Sequence, residues 1–246
     1  MSTPIHFESS EEIGCYMKLT NTYCLVAAGF SDSQYERINS ELAGQIPVIP
    51  ITIDGMSVFG RMCAGNSKGL IVPESTTDEE MAVLESKLPR GVRVAKVDER
   101  FSALGNVIVA NDSVALIHPG LDEKTESVIA ETLGVKVLRT TIGGSELVGS
   151  QCSLTNKGAL VAPTCDLNEL EQLTRVLQIP VISGTINRGS DTIGTGVVAN
   201  DSTAFVGTGS TAIEMQIAES IFKLTQKMEV HYNDEEAAKF LFEGLE

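Results

Sequence analysis

The chain has 246 residues, 42% of them hydrophobic, and a formal net charge of −15. That is enough apolar material for a substantial core and too much negative charge for broad binding to nucleic acid phosphates, whose affinity comes from lysine and arginine displacing counterions. No window holds the roughly 18 uninterrupted apolar residues of a membrane span, and MSTPIHFESSEE lacks the basic start and apolar run of a signal peptide, so a cytoplasmic and nuclear location without a membrane is expected. Cys15, Cys24, Cys63, Cys152 and Cys165 are odd in number, scattered and without a CxxC pair, which argues against a disulfide framework or a zinc site and for reduced, mostly buried thiols.

In chain order, a short strand PIHFE (Pro4 to Glu8) precedes IGCYMKLTNTYCLVAA, and the frame of the latter then recurs as FGRMCAGNSKGLIVPE, LGNVIVANDSVALIHP, VGSQCSLTNKGALVAP and IGTGVVANDSTAFVGT. Each copy opens with an apolar residue and a glycine: Gly14, Gly60, Gly105, Gly149 and Gly194, spaced by 46, 45, 44 and 45. Each also holds an asparagine: Asn21, Asn66, Asn111, Asn156 and Asn200, spaced by 45, 45, 45 and 44. An apolar stretch, a turn centred on asparagine and a second apolar stretch predict a β-hairpin, because asparagine tolerates the left-handed backbone of tight turns. A polar segment with apolar residues at helical spacing follows, as at Leu121, Val128, Ile129 and Leu133, or Leu167, Leu170, Leu173 and Leu177. A β-type run closes each unit: IPVIPITI, VRVAKV, VKVLRTTI and IPVISGTI.

The fifth unit has its helix, STAIEMQIAESIFKL, but no third strand after it. PIHFE lies at the same offset before Gly14 as PITID before Gly60, so the N-terminal strand is expected to cover that edge. The resulting fold class is α/β: five ββαβ repeats around a pseudo-five-fold axis, an α/β propeller closed by its first strand. In such a ring the residues just after the repeat glycines, Cys15, Arg61, Asn106, Ser150 and Thr195, share one rim.

The stretches KLTNTYCLVA, GRMCAGNSKGL, VDERFSALGNVI and GTINRGS fall in order between about Phe7 and Leu224 and closely resemble the eukaryotic translation initiation factor 6 family; the five units look like the pentein fold. The resemblance implies a propeller over residues 1–224, which leaves 225–246 as a tail. It implies binding to the intersubunit face of the large ribosomal subunit, chiefly to a basic ribosomal protein with ribosomal RNA nearby, and steric exclusion of the small subunit. It further implies a part in large-subunit biogenesis and nuclear export, release by a GTPase and its cofactor, residence in cytoplasm, nucleus and nucleolus, and a monomer that is not an enzyme and carries no cofactor or metal. Arg61 and Asn106 match positions in the family's motifs, and Lys96, often arginine in the family, is a third ribosome-binding candidate. The plainer alternatives are solvated charges at Arg61 and Lys96, a turn residue at Asn106 and a loop charge at Arg188. An acidic chain favours a small, protein-centred footprint on a basic partner.

Other signals carry less. IGTGVVA, with Gly194, Gly196 and Ala199, fits a dinucleotide pattern, but a turn and a strand follow it where a helix is required. GNSKG and VGTGSTA lack P-loop spacing. The rival function is a pentein enzyme attacking a guanidinium carbon with cysteine and histidine. The fifth unit holds no cysteine, His118 reads as a strand-end residue, and Cys165 has no histidine at a motif-related position. The tail segment DEEAAKFLFEGL has Ala237, Phe240, Leu241 and Leu245 at roughly helical spacing, which leaves two readings open, a part-helical tail and a mobile, solvated one; it departs from the family's serine-rich tail, so regulation by phosphorylation there does not carry over.

Overall fold

A computed structural model of the protein describes residues 2–224; the tail expected at 225–246, with Ala237, Phe240, Leu241 and Leu245, lies outside the described residues. β1 (Ser2–Ile5) comes first, and a single helical turn (Ile13–Cys15) leads into β2 (Met17–Leu19), β3 (Cys24–Ala27), α1 (Asp32–Glu41) and β4 (Val48–Ile51). The second unit has a turn at Phe59–Arg61, then β5 (Ala64–Gly65), β6 (Gly69–Pro73), α2 (Asp78–Lys87) and β7 (Arg93–Val97). The third comprises α3 (Leu104–Val107), β8 (Ile108–Ala110), β9 (Val114–Ile117), α4 (Glu123–Leu133) and β10 (Lys136–Arg139). The fourth comprises α5 (Val148–Gln151), β11 (Cys152–Leu154), β12 (Ala159–Val161), α6 (Leu167–Leu177) and β13 (Val181–Ser183). The fifth ends with α7 (Ile193–Gly196), β14 (Val197–Ala199), β15 (Ala204–Gly207) and α8 (Ala212–Ile221).

These elements form five three-stranded sheets. In each, an antiparallel hairpin is joined by a third strand parallel to the second, reached in the first four through a helix. In the fifth, β1 takes the third place and pairs in parallel with β15, from Ser2 opposite Ala204 to Ile5 opposite Gly207. The expected strand Pro4 to Glu8 is therefore shifted toward the N-terminus. The reason is a bend: Phe7 bridges back to Ser10, as Ile53 does to Met56 and Ile142 to Ser145, with Glu8 and Asp54 at positive φ. The backbone amide of Ser2 donates to Glu219 Oε1 at 2.6 Å, tying β1 to α8.

The helical turn that opens each unit was not anticipated from sequence, where a strand was expected to start at once. The turns touch in a closed cycle, first on second, third, fourth, fifth and back to the first. Their glycines explain the contact. A Cβ on Gly14 would collide with the carbonyl oxygen of Gly194, one on Gly60 with that of Gly14, one on Gly105 with that of Gly60, one on Gly149 with that of Gly105, and one on Gly194 with that of Gly149. Only hydrogen in place of a side chain lets the five backbones meet at the axis.

The asparagines divide into two rings. Counting six residues from each glycine gives Thr20, Asn66, Asn111, Thr155 and Asn200, so Asn21 and Asn156 are one residue out of register with the other three. Asn66, Asn111 and Asn200 are buried, and each Oδ1 accepts from two amides of its own hairpin turn. Each Nδ2 donates to the neighbouring unit's carbonyl at the same position: Asn66 to Asn111, Asn111 to Thr155 and Asn200 to Thr20, at 3.0, 3.2 and 3.0 Å. Thr20 and Thr155 replace the intra-turn part of this role with their hydroxyls. The next position holds Asn21, Ser67, Asp112, Asn156 and Asp201. Here Asn21 and Asn156 both donate to the carboxylates of Asp112 and Asp201. Against the cost of burial, hydrogen bonds from Ser67, Asn156 and Asn21 hold the Asp112 carboxyl below its usual range.

Outside the axis, each long helix packs its apolar face on a sheet. On α6, Leu173 and Leu177 are buried as their spacing implied, but Leu167, the first residue of the helix, is 80% exposed. Helices α2 and α8 begin with complete capping boxes, Thr77 with Glu80 and Thr211 with Glu214. The same two carboxylates accept amides from the loop after the preceding unit's last strand, Asp54 and Gly55 for Glu80 and Arg188 and Gly189 for Glu214. No helix among the described residues is long and apolar enough to cross a membrane.

Two outcomes follow. Alanine raises helix propensity over glycine by about 1 kcal/mol, yet Gly105→Ala, inside α3, is expected to cost about 2–3 kcal/mol by overpacking, read as a lower denaturation midpoint. Although burial opposes its ionisation, the Glu214 carboxyl is brought down to about 2 by hydrogen bonds from Thr211, Gly189 and Thr185. An unfolded glutamate binds its proton near about pH 4.3, so this carboxylate's contribution is complete above that pH and is lost as pH falls toward about 2. Glu214→Gln is expected to destabilise the protein at pH 7 by about 2 kcal/mol, and its gap from the parent protein should close in acid denaturation.

Candidate functional site

The first strand of each unit leaves its helical turn and the second returns beside it, as when the Ala27 amide donates to Tyr16 O and the Ala162 amide to Gln151 O. The long helices therefore begin at the same end as the five turns. This end carries Cys15, Arg61, Asn106, Ser150 and Thr195, the residues that follow the repeat glycines. They are not five independent side chains. Ser150 Oγ donates to Asn106 Oδ1 at 3.1 Å, and Thr195 Oγ1 donates to Thr192 O at 2.8 Å. Cys15 Sγ lies 3.9 Å from Glu12 Oε2.

Arg61 spans the axis. Its Nε donates to Gly14 O at 3.1 Å and its Nη1 to Gly149 O at 3.2 Å, so a side chain of the second unit bridges the first and the fourth. Burial pulls its pKa below the usual arginine value, partly offset by Cys15, Cys63 and Glu12. The guanidinium is thus partly committed to the ring, unlike a freely solvated charge. Lys96 is not brought beside it. It lies on β7, the outer strand of its sheet, with Nζ 3.7 Å from Asp78 Oδ1 at the start of α2. Arg188 is exposed in a loop, with φ of 62° and its amide on Glu214.

Two features of this end had not been singled out in the sequence. Met56, Val58, Leu147, Leu167 and Ile213 are all at least 39% exposed; the first three precede helical turns and the last two open long helices. They account for five of the seven large hydrophobic residues that are exposed among the described residues. Beneath the turns lies an axial cavity of about 50 Å³, lined by Lys18, Arg61, Gly105, Gly149, Gly194 and the inner strands. Lys18 is the surprise. Four residues after each repeat glycine the other units carry Ala64, Val109, Ser153 and Val198, a comparison that could have marked this lysine from sequence. Burial, reinforced by Arg61, lowers its pKa to about 8.

Nothing among the described residues assembles a thiolate nucleophile. Burial pushes Cys63 up to about 11 and Cys165 up to about 12, and raises Cys15, Cys24 and Cys152 as well. His118 is buried at the end of β9, where Nδ1 accepts from the Gly120 amide at 2.8 Å, Nε2 faces Glu146 Oε2 at 3.2 Å and the ring packs on Phe101. Gly194 and Gly196 lie in the four-residue α7, which runs straight into β14. That geometry offers no helix N-terminus to a pyrophosphate. No group of three or more His, Cys, Asp or Glu side chains among the described residues could hold a metal ion.

The eIF-6 family model matches residues 2–221. Translation initiation factor 6 of Saccharomyces cerevisiae is 50% identical over 224 residues, 91% of each chain. Factor 6-2 of Arabidopsis thaliana is 50% identical over 226 residues, 92% of each, and the Tetrahymena thermophila factor is 46% identical over 241 residues, 98% of each. Among solved structures, an arginine dihydrolase from the ornithine–ammonia cycle in cyanobacteria is 12% identical with a TM-score of 0.44, covering 70% of this chain and 27% of that one. With a family match spanning all five units and half of the residues shared with relatives of equal length, the chain belongs to the eukaryotic translation initiation factor 6 family.

Proposed function

We propose that this protein is a translation factor that binds the large ribosomal subunit through the turn-bearing end and keeps the small subunit from joining by occupying the intersubunit face. Residues 1–224 act as one five-bladed pentein propeller, a rigid plug, with 225–246 as an appended tail. The same binding serves late large-subunit maturation and nuclear export, with a GTPase and its cofactor as the releasing machinery, and the protein works as a monomer in cytoplasm, nucleus and nucleolus.

The observation that carries this reading is the concentration of exposed apolar side chains, Met56, Val58, Leu147, Leu167 and Ile213, at one end of a chain with a net charge of −15. Clustered exposed apolar residues mark contact surfaces, and an acidic chain fits a basic protein partner better than bare RNA. Arg61, Asn106 and Lys96 contribute from the centre and the flank of that end. The thiols, all held toward the neutral form, give no support to a guanidino-group-modifying enzyme.

The experiment is sedimentation of purified ribosomal subunits at a magnesium concentration that permits joining, with and without stoichiometric protein. Migration with the large subunit alone, together with loss of the joined peak, is expected; protein left at the top of the gradient while subunits join would sink the proposal. Leu147→Glu and Asn106→Glu should weaken large-subunit binding by about tenfold or more, as loss of a central contact does, with unchanged thermal midpoint. Arg61→Glu should lower both, because it sets a carboxylate against the carbonyls of Gly14 and Gly149.

A further inference from the structure

We propose that the axial cavity is a binding site for one small inorganic anion of about the size of chloride, held between Lys18 and Arg61. Its lining contains both cations and no carboxylate, in a chain where acidic residues outnumber basic ones by 33 to 18. The chemistry of the site is an excess of donors. An ammonium has three N–H groups and a guanidinium five. The Lys18 ammonium makes no hydrogen bond or ion pair with the described residues, while Arg61 spends two donors on Gly14 O and Gly149 O. The carbonyls of Gly14 and Gly149 are thereby occupied, and each also rests against the glycine of the next turn.

Two neighbouring, half-buried cations repel each other and lose part of their hydration, a cost that a counter-ion between them offsets. Burial and Arg61 act on Lys18 in that sense, while leaving it largely protonated at neutral pH. Glu12, the carboxylate that acts on Arg61, is exposed and outside the cavity lining, so it does not neutralise Lys18. A volume of about 50 Å³ admits a monatomic ion and is small for a nucleotide. Lys18 has no counterpart in the other units, since Ala64, Val109, Ser153 and Val198 hold the matching places.

The test compares thermal midpoints of the full chain in sodium chloride and in sodium gluconate at one ionic strength, for the parent protein and Lys18→Met. With chloride at about ten times its dissociation constant, its advantage over gluconate should be about 3 °C larger in the parent protein than in Lys18→Met. Equal responses would overturn the site. Crystals of the parent protein grown in sodium bromide supply a reading that does not depend on the variant's folding. An anomalous peak within about 3.5 Å of Lys18 Nζ, at hydrogen-bonding range for a large anion, is expected; ordered water there without bromide would overturn the proposal.

Discussion

Five glycines resting on one another's carbonyl oxygens set the geometry of everything else. Gly14, Gly60, Gly105, Gly149 and Gly194 form an unbroken cycle of backbone-to-backbone contacts, and the spacing of that cycle determines how near the inner strands β2, β5, β8, β11 and β14 come to the axis. With the backbones that close, the space enclosed is too narrow for a large side chain from each unit. Four of the inner strands accordingly carry Ala64, Val109, Ser153 and Val198 at the matching places, and only β2 contributes a long cation, Lys18. Arg61 can reach from the second unit to Gly149 in the fourth because the ring is this tight.

The two ends of the axis have opposite chemistry. Backbone glycines and two cations occupy the axis at the turn-bearing end, which also carries exposed apolar side chains. At the hairpin end, Asp112 and Asp201 are bound by the amides of Asn21 and Asn156, which leaves that end polar and internally satisfied. The two ends of the axis therefore offer different chemistry to solvent. Further out, Glu80 and Glu214 each join a helix start to the loop before it, so the units are braced at both small and large radius.

Much of this was legible in the sequence because the repeat is chemical as well as periodic. Glycine at the axis has no substitute, so its five positions stood out. Asparagine was legible only in part: Thr20 and Thr155 do with a hydroxyl what Asn66, Asn111 and Asn200 do with an amide oxygen, while Asn21 and Asn156 belong to the adjacent ring. A residue letter repeated one place out of register looks the same as one in register until the hydrogen bonds separate them. The completing role of the first strand was readable from an offset, but its bounds were not, since the bend at Phe7 and Glu8 comes from backbone conformation. Arg61 was identifiable by position and not by direction, because its partners are carbonyl groups of distant units. Leu167 kept helical spacing yet faces solvent, as periodicity does not say which turns of a helix are covered.

The pairing of β1 with β15 places the two extremes of the described chain in one sheet. β1 therefore has no strand partner until β15 has been synthesised, so its sheet is completed late on a growing chain. The covalent gap between units also becomes a matter of convenience. A circular permutant that joins the region after α8 to Ser2 and opens the chain in the loop between β4 and the second helical turn would keep all five sheets, with every hydrogen bond of the axis unchanged.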